Sequence, residues 1–466
     1  MKVTQVAVCP SDASKLAGRP ALTPELLAAS GARYSRNNEG LDSILSKIDP
    51  HNLEKSVDSI FRMVDYGHQS IADMVPVAMF IDDISMWLAY YIWTLCPTAG
   101  GQESSTRYIK ISVDGLIAPE NLGIQSQDTV EWRSLMDECF KAYQAAVKIW
   151  EDLASENPAL MGIPKSLLED KSDSAKKKVA RMTRNYGFDR SRYLLPVAAA
   201  TNVMLIMSAR GWVNLCQYLL SHQLPECSRL GDLIRNELEV AAPRMIKHAR
   251  ATESHKAALD SEFKKLIQAA KSRPIASIQS EESGIPYLSV TPPDGIEDQD
   301  LANDLKYHSN RYAPVGSHLQ RTSVRFGWSR VAFAEIRDLN RHRTGTKYCP
   351  QIPSGFYYAV DQLPPGAESK RTLLEKQADV GRKAMLKART LLEDGNITNS
   401  YWTVLGTEYP FEHTTTADKF IYEAELRTGT GAHYRYAKHL RDVLTLWYLQ
   451  FPKTKGLILE GTAEPE

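Results

Sequence analysis

Apolar side chains recur at intervals of three and four residues in several long segments of the chain, which is the pattern of amphipathic helices. The longest stripe in the first half runs from Trp132 to Trp150, and another runs from Leu373 to Leu392 in the second half. A shorter helix is predicted to begin at Thr23-Pro24-Glu25, with threonine as the cap and proline at the first helical position. We also predict an apolar helix from Ala198 to Leu220. The pattern indicates a helix-rich protein with short strands.

The order of these segments occurs twice along the chain. Residues 66–110 and 315–358 each contain a small-residue turn with a histidine (His68 and His318), then an apolar segment, then a loop rich in hydrogen-bonding groups. A long helix and a final helical region follow in each half. An internal duplication of about two hundred residues explains this order.

Residues 271–300 differ in composition from both halves. Proline, serine, glycine and acidic residues dominate there, and few apolar positions repeat at a regular spacing. We therefore predict a first domain at 1–270, a connection at 271–300 and a second domain at 301–466.

Charge and composition limit the classes of function. The chain has 466 residues, of which 56 are basic and 56 acidic, so no net field favours long nucleic acids or membranes as partners. No apolar run reaches the roughly 20 residues that a membrane helix needs, and the N-terminal sequence lacks the pattern of a secretory signal. Six cysteines without a CxxC pair favour a reduced, cytoplasmic setting and give no reason to expect zinc or another metal.

A loop in the first half combines glycines with polar side chains. Two consecutive glycines precede Glu103, Ser105, Arg107 and Tyr108. Glycines let backbone amides approach an anion closely. Ser105 and Arg107 are suited to a phosphate, and Glu103 is suited to a sugar or ring donor. A polar loop that only caps a helix fits the same pattern, so both interpretations stay open here.

A loop in the second half begins with Arg341-His342-Arg343, at the end of a predicted helical segment. Guanidinium groups bind phosphate through pairs of parallel hydrogen bonds. The alternative is a basic triplet on the surface that forms salt bridges. The sequence has no Ser-His-Asp arrangement and no phosphate-binding glycine motif. Cys96 and Cys349 lie in the two loops, and we interpret both as packing residues rather than nucleophiles.

Together these motifs resemble those of flavin-dependent thymidylate synthases. That family carries Arg-His-Arg, then seven residues, then a serine, with a glutamate two positions before the serine and Arg-Tyr after it. The first half keeps the spacing and the later residues, and the second half keeps the arginine triplet and a Glu-Leu-Arg sequence at 425–427. The first half also contains, in the family's order, Ala32-Arg33-x-Ser35, Gly67-His68-x-Ser70 and Arg192-x-x-Leu195-Pro196.

The resemblance implies an α+β fold that occurs twice, each copy helix-rich around a small antiparallel sheet. It implies FAD as the cofactor, NADPH as the reductant and methylenetetrahydrofolate as the donor of a one-carbon unit to C5 of dUMP or a related uridylate. The family forms homotetramers with sites at subunit interfaces. Since the two halves have lost complementary residues, the resemblance implies one composite site in each chain and a homodimer shaped as a pseudo-tetramer.

The resemblance also implies a role for each motif residue. FAD would contact Arg341, His342 and Arg343, together with Glu103, His68 and Ser35; the nucleotide would contact Ser105, Arg107, Tyr108, Arg192 and Asp338; and Arg427 and Arg107 would be the catalytic residues, with Arg427 against the uracil ring.

Asp338 departs from the family, which has a glutamine at this position near the pyrimidine. A carboxylate there is predicted to reject a standard uracil or to select a different base. Two alternatives to thymidylate synthesis therefore stay open: a catalytically silent homologue that binds a nucleotide, and a flavin enzyme that acts on a modified pyrimidine nucleotide.

Overall fold

The computed structural model of the chain describes residues 1–6, 23–35, 41–49, 51–65, 69–106, 111–273 and 284–461. The chain forms two compact units. The first unit consists of residues 1–105, 117–124 and 200–264, and the second consists of residues 106–116, 125–199 and 265–466. Residues 125–199 therefore belong to the second unit, although they lie in the first half of the sequence.

The helices and strands have the following bounds. The strands are β1 (Lys2–Val6), β2 (Pro76–Ser85), β3 (Gly100–Glu103), β4 (Ala200–Ser208), β5 (Pro286–Thr291), β6 (Ser323–Ala332), β7 (Thr346–Tyr348), β8 (Gly355–Phe356) and β9 (Thr407–Thr416). The helices are α1 (Pro24–Tyr34), α2 (Leu41–Ser46), α3 (Leu53–Asp65), α4 (Ser70–Asp73), α5 (Met86–Leu95), α6 (Pro119–Leu122), α7 (Thr129–Glu156), α8 (Lys165–Glu169), α9 (Asp173–Ser191), α10 (Ala209–Ser221), α11 (Pro225–Ala241), α12 (Glu253–Ser272), α13 (Asp298–Asp304), α14 (Ser317–Arg321), α15 (Phe333–Asn340), α16 (Glu368–Glu393), α17 (Ala417–Thr428) and α18 (Tyr434–Gln450).

Each unit is built on an antiparallel sheet, and the two sheets have the same strand order. The order is β1-β2-β4-β3 in the first unit and β5-β6-β9-β7 in the second, where the short strand β8 also pairs with β9. The register shifts at a bulge between Ile81 and Ile84 in β2, and between Trp328 and Val331 in β6. A helix follows each bulged strand directly. The predicted α+β class is confirmed, and the matching order supports the proposed duplication.

The apolar stripe predicted on the first long helix is buried. Trp132, Cys139, Phe140 and Trp150 are all at most 1% exposed on α7, which packs against α9 and α16 in the second unit. The indole nitrogen of Trp132 donates to the Tyr401 carbonyl oxygen at 2.9 Å. This buried bond fixes the N-terminal part of α7 beside the 3-10 turn that precedes β9.

The start of α1 follows the sequence prediction. The Thr23 hydroxyl accepts a hydrogen bond from the Leu26 amide, and proline occupies the first turn. Helix α5 begins in a similar way, because the Ser85 hydroxyl accepts from the Leu88 amide. The Glu226 carboxylate in turn accepts from the amide and the hydroxyl of Ser85.

One sequence prediction needs correction. Residues 200–208, which we predicted as the beginning of a helix, form strand β4, and the helix begins only at Ala209. Thr201, Val203, Leu205 and Met207 are buried at every second position, so the period is that of a strand. The predicted connection at 271–300 contains strand β5, which pairs with β6, and the beginning of α13. Residues 274–283 of that stretch lie outside the described residues.

Among the described residues, no helix is both long enough and apolar enough to cross a bilayer.

Candidate active site

Helix α15 carries many of the charges at the candidate site. All eight of its residues are buried, including Glu335, Arg337 and Asp338. A helix buried on all sides normally has few charges, because an unpaired buried charge is costly. Charged residues on α15 therefore require partners, and those partners define the site.

Arg192, which follows α9, is held by two carboxylates of α15. Its Nη2 atom donates to Glu335 Oε1 at 3.2 Å, and its Nη1 atom lies 3.5 Å from Asp338 Oδ2. The Arg192 side chain is 7% exposed, and its Nε atom has no hydrogen-bond partner among the described residues. Glu335 and Asp338 are three positions apart, a spacing that brings both carboxylates to one guanidinium group.

Asp338 is the acidic centre of this cluster. Arg341 donates to Asp338 Oδ1 while Arg192 faces Oδ2, so both carboxylate oxygens already have guanidinium partners. Burial alone would raise the pKa of Asp338, but the arginines around it, with Arg341 the strongest, hold that pKa far below its usual value. The carboxylate is therefore ionised and committed to the arginines. Its predicted role in choosing the pyrimidine stays a prediction.

His342 is buried beside Arg427 of helix α17. The Nε atom of Arg427 donates to His342 Nε2 at 2.6 Å, and its Nη2 atom donates to the Asp338 carbonyl oxygen at 3.0 Å. Burial lowers the pKa of His342 to about 3, and the nearby guanidinium acts in the same direction. The imidazole is therefore neutral near neutral pH, with its proton on Nδ1. A neutral acceptor at this position fixes the plane of the Arg427 guanidinium group.

The loop after the arginine triplet is anchored by a second histidine. His413 on β9 lies between the Thr344 carbonyl oxygen, 2.7 Å from Nε2, and Glu423 Oε2, 3.0 Å from Nδ1. Both side chains are at most 1% exposed. Burial alone would raise the pKa of Glu423, but the neighbouring imidazoles lower it to about 2. The ring thus ties the loop to α17, the helix that carries Arg427.

A second group of buried polar side chains adjoins Glu335. Tyr193 donates to Glu335 Oε1 at 2.9 Å, and Arg435 lies with its guanidinium carbon 3.5 Å from the centre of the Tyr357 ring. Burial raises the pKa of Glu408 to about 7, although Arg435 acts against this rise. Burial also raises the pKa of Glu335, while Arg192 and Arg435 oppose it. These residues form the buried support behind the arginine cluster.

The structure brings together one subset of the residues predicted from motifs. Arg192, Asp338, Arg341, His342 and Arg427 all belong to the second unit and contact one another in the cluster described above. Arg343 is exposed at its edge. Three predicted residues belong to the first unit, namely Ser35, which donates to the Ala32 carbonyl oxygen, the buried Glu103 and the half-buried Ser105. His68, Arg107 and Tyr108 lie outside the described residues.

Sequence reasoning missed the supporting residues Glu335, Glu408, His413, Glu423 and Arg435. Two of them left a signal. Glu335 is an acidic residue in an otherwise apolar stretch from Val331 to Ile336, and Arg435 ends the sequence Ala432-His433-Tyr434-Arg435, where flavin-dependent thymidylate synthases tend to have Ala-Gln-x-Glu. Without a known fold, however, each of them was also consistent with an exposed helix face.

The charge and donor atoms of the cluster suit an anionic ligand. Four arginines act on the single carboxylate of Asp338. The Arg341 side chain is 32% exposed and so within reach of a ligand, whereas Arg192 offers a buried Nε donor without a partner among the described residues. Guanidinium groups in this surplus match the pyrophosphate of FAD or the phosphate of a nucleotide. The residues present therefore fit both groups.

Comparison with known proteins gives a family match. Residues 21–244, which are just under half of the chain, match the sequence model of the thymidylate synthase complementing protein family. The chain is similar to this family over these residues, and the match confirms the recognition from the sequence motifs. It supports a thymidylate-synthase-like methyltransferase as the class of enzyme and FAD as its cofactor.

Relatives of similar length extend the comparison beyond the matched region. The UPF0159 protein Ta1429 of Thermoplasma acidophilum is 24% identical over 92% of this chain and 93% of its own length. A UPF0159 protein of Chlamydia pneumoniae is 24% identical over 74% of each chain. Counterparts of both halves are therefore present together in Ta1429.

A solved structure shows a weaker likeness. The UMP/dUMP methylase PolB from Streptomyces cacaoi, bound with 5-Br dUMP, aligns with 53% of this chain and 93% of its own, at 14% identity and a TM-score of 0.32. A likeness of this degree gives no information about the substrate of this protein.

Proposed function

We propose that the protein is a flavin-dependent enzyme that transfers a one-carbon unit from methylenetetrahydrofolate to C5 of dUMP or a related uridylate, with NADPH as the reductant. The observation that carries this proposal is the arginine cluster around Asp338, beside the Arg-His-Arg sequence that the family uses for flavin. The family match supports the chemistry, and the surplus of guanidinium groups supports two anionic ligands, FAD and a nucleotide.

In this proposal Arg341, His342 and Arg343 hold FAD. The flavin supplies the reducing equivalents for the transfer. Arg192 binds the nucleotide phosphate, and Arg427 stabilises negative charge on the uracil ring. His342 keeps Arg427 in place, because its neutral imidazole accepts a hydrogen bond from the Arg427 Nε atom. The Nη2 atom of Arg427 donates to the Asp338 carbonyl oxygen, and the other guanidinium donors can bind the ligand. A planar guanidinium group that is already oriented loses little freedom when the charge develops.

We further propose that turnover needs the motif residues of both halves. Glu103, Ser105, Arg107 and Tyr108 are kept only in the first half, and the arginine triplet is kept only in the second. This complementary loss supports one set of functional residues for each chain. We also propose a homodimer, since the family's tetramer contains four copies of a unit that occurs here twice in each chain.

The first test is the visible absorption spectrum of the protein after incubation with FAD and desalting. A bound oxidised flavin is expected, and the dUMP-dependent oxidation of NADPH should then require methylenetetrahydrofolate. Arg341→Ala should lose the flavin, and Arg107→Ala should keep the flavin but lose turnover. Arg325→Ala is the matched control, because Arg325 is an exposed residue that pairs with Glu412 on the outer side of the second sheet.

The outcomes separate the proposal from its alternatives. Nucleotide binding without flavin would indicate a silent homologue. Flavin binding with NADPH oxidation that depends on a modified pyrimidine nucleotide, and not on dUMP or UMP, would assign the enzyme to a different base. Full turnover in Arg107→Ala or in Arg341→Ala would contradict the requirement for both halves.

A further inference from the structure

Two carboxylates of the protein hold Arg192, although binding a nucleotide phosphate, its predicted role, does not require them. Its two terminal nitrogens face two different carboxylates, Glu335 at 3.2 Å and Asp338 at 3.5 Å. The Asp338 carboxylate also accepts from Arg341, whereas the Oε1 atom of Glu335 accepts hydrogen bonds from both Arg192 and Tyr193.

Burying the Glu335 carboxylate at this position costs free energy. Its side chain is 0% exposed, and its Oε2 atom has no hydrogen-bond partner among the described residues. A buried carboxylate of this kind contributes little to stability compared with an apolar side chain of similar volume. Its effect must then lie in what it does to Arg192 and Tyr193, the two residues whose donors it accepts.

The effect on Arg192 is geometric. Carboxylates one helical turn apart hold both terminal nitrogens of the guanidinium group. Rotation about the bonds of the Arg192 side chain would break these contacts, so the plane of the group is fixed. Its remaining donor, Nε–H, is buried and has no partner among the described residues. Fixing a donor before the ligand arrives avoids the entropy loss of ordering it on binding.

We propose that Glu335 is a positioning residue that orients Arg192 to bind the phosphate of the nucleotide substrate. This inference rests on the proposed function, in which Arg192 binds that phosphate. Glu335 does not touch the substrate, and its effect on phosphate binding is exerted through Arg192.

The test compares the affinity for dUMP with that for deoxyuridine, which lacks the phosphate. Both are measured by calorimetry on the full-length, FAD-loaded wild-type protein and on E335M, E335Q, R192M and the double variant E335M/R192M. We expect E335M to lose about tenfold or more in affinity for dUMP and to bind deoxyuridine as the wild type does. E335Q keeps an acceptor at the Oε1 position and should stay within about threefold of the wild type, which a role as a counter-charge would not allow.

The double variant tests whether Glu335 acts through Arg192. The affinity of E335M/R192M for dUMP should equal that of R192M. Once Arg192 is replaced, there is no guanidinium group left for Glu335 to orient. A wild-type affinity of E335M for dUMP, or a further loss in the double variant beyond that of R192M, overturns the positioning role. Since the double variant removes both buried charges, its comparison with R192M can still overturn the positioning role if E335M alone does not fold.

Failure of the proposed function gives a different result. If the wild-type protein binds dUMP no more tightly than deoxyuridine, it has no phosphate site, and both proposals fall together. If the wild type prefers dUMP and R192M keeps that preference, the phosphate site exists without Arg192, and the positioning role of Glu335 is overturned while the nucleotide site stands.

Discussion

The neutral state of His342 leads to a quantitative prediction about acid stability. Burial lowers the pKa of His342 from 6.5 to about 3, and Arg427 donates a hydrogen bond to the nitrogen that a second proton would occupy. In the unfolded chain the imidazole takes up a proton below about pH 6.5. The folded protein therefore binds fewer protons than the unfolded chain between these values, and its stability falls as the pH is lowered through that window.

The magnitude follows from the two pKa values. Between about pH 7 and about pH 5, the single proton taken up by the unfolded chain lowers the free energy of unfolding by about 2 kcal/mol. Gln at position 342 keeps an oxygen acceptor for Arg427 and has no proton to gain. His342→Gln should therefore lose about 2 kcal/mol less stability than the wild type over the same pH change.

The assay is urea unfolding at both pH values, followed by tryptophan fluorescence and circular dichroism. The quantity compared is the change in unfolding free energy with pH, so that other titrating groups cancel between the two proteins. His51→Gln, which removes an exposed histidine, is the matched control and should follow the wild type. The same pH dependence in His342→Gln and in the wild type would refute the neutral, buried imidazole.

Three further predictions follow from single contacts. Burial raises the pKa of Glu408 to about 7, so the folded protein keeps a proton that the unfolded chain releases above about pH 4.5. The free energy of unfolding should therefore fall by about 2 kcal/mol between about pH 5 and about pH 8. Glu408→Gln should abolish that part of the pH dependence measured by urea unfolding. Gly345 has a φ of 66°, and a Cβ there would collide with the Thr414 carbonyl oxygen. Gly345→Ala should thus lower the unfolding free energy by about 2 kcal/mol or more and reduce flavin retention after desalting; unchanged values would argue against this loop geometry. Trp132→Phe removes the buried bond to the Tyr401 carbonyl oxygen and should cost about 1–3 kcal/mol in the same unfolding assay, while an unchanged midpoint would show that the bond contributes nothing.

Periodicity was sufficient to predict the long helices but not the central strands. The stripe on α7 is long enough for its three-to-four spacing to be unambiguous. Strand β4, by contrast, lies within the largely apolar run from Ala198 to Leu220. The polar and apolar residues of the strand alternate too weakly for the sequence to separate it from the helix that follows. The boundary at Ala209 depends on the Ser208 hydroxyl accepting from the Gly211 amide, a capping signal that is weak in a single sequence.

The candidate site was predictable as far as its motifs reached. The Arg341–Arg343 triplet was expected at the end of a helix, and α15 does end at Asn340. Glu335 was not predictable, because a glutamate on a short helix is far more often exposed than buried. The contact of Arg192 with α15 could not be inferred either, since the two segments are more than a hundred residues apart and only the tertiary structure shows that they belong to the same unit.

The interleaving of the two units along the chain has a consequence during synthesis. Helices α7 and α9 are synthesised before residue 200 is reached, but their partner α16 begins only at Glu368. At the usual rate of translation, about 5–20 residues per second, the buried face of α7 waits roughly 10–40 s for that partner. The first unit, whose last residue is Lys264, can complete its fold within this interval. The nascent chain therefore carries a finished unit and an unfinished helical hairpin at the same time, and the hairpin is the part that a chaperone would need to shield.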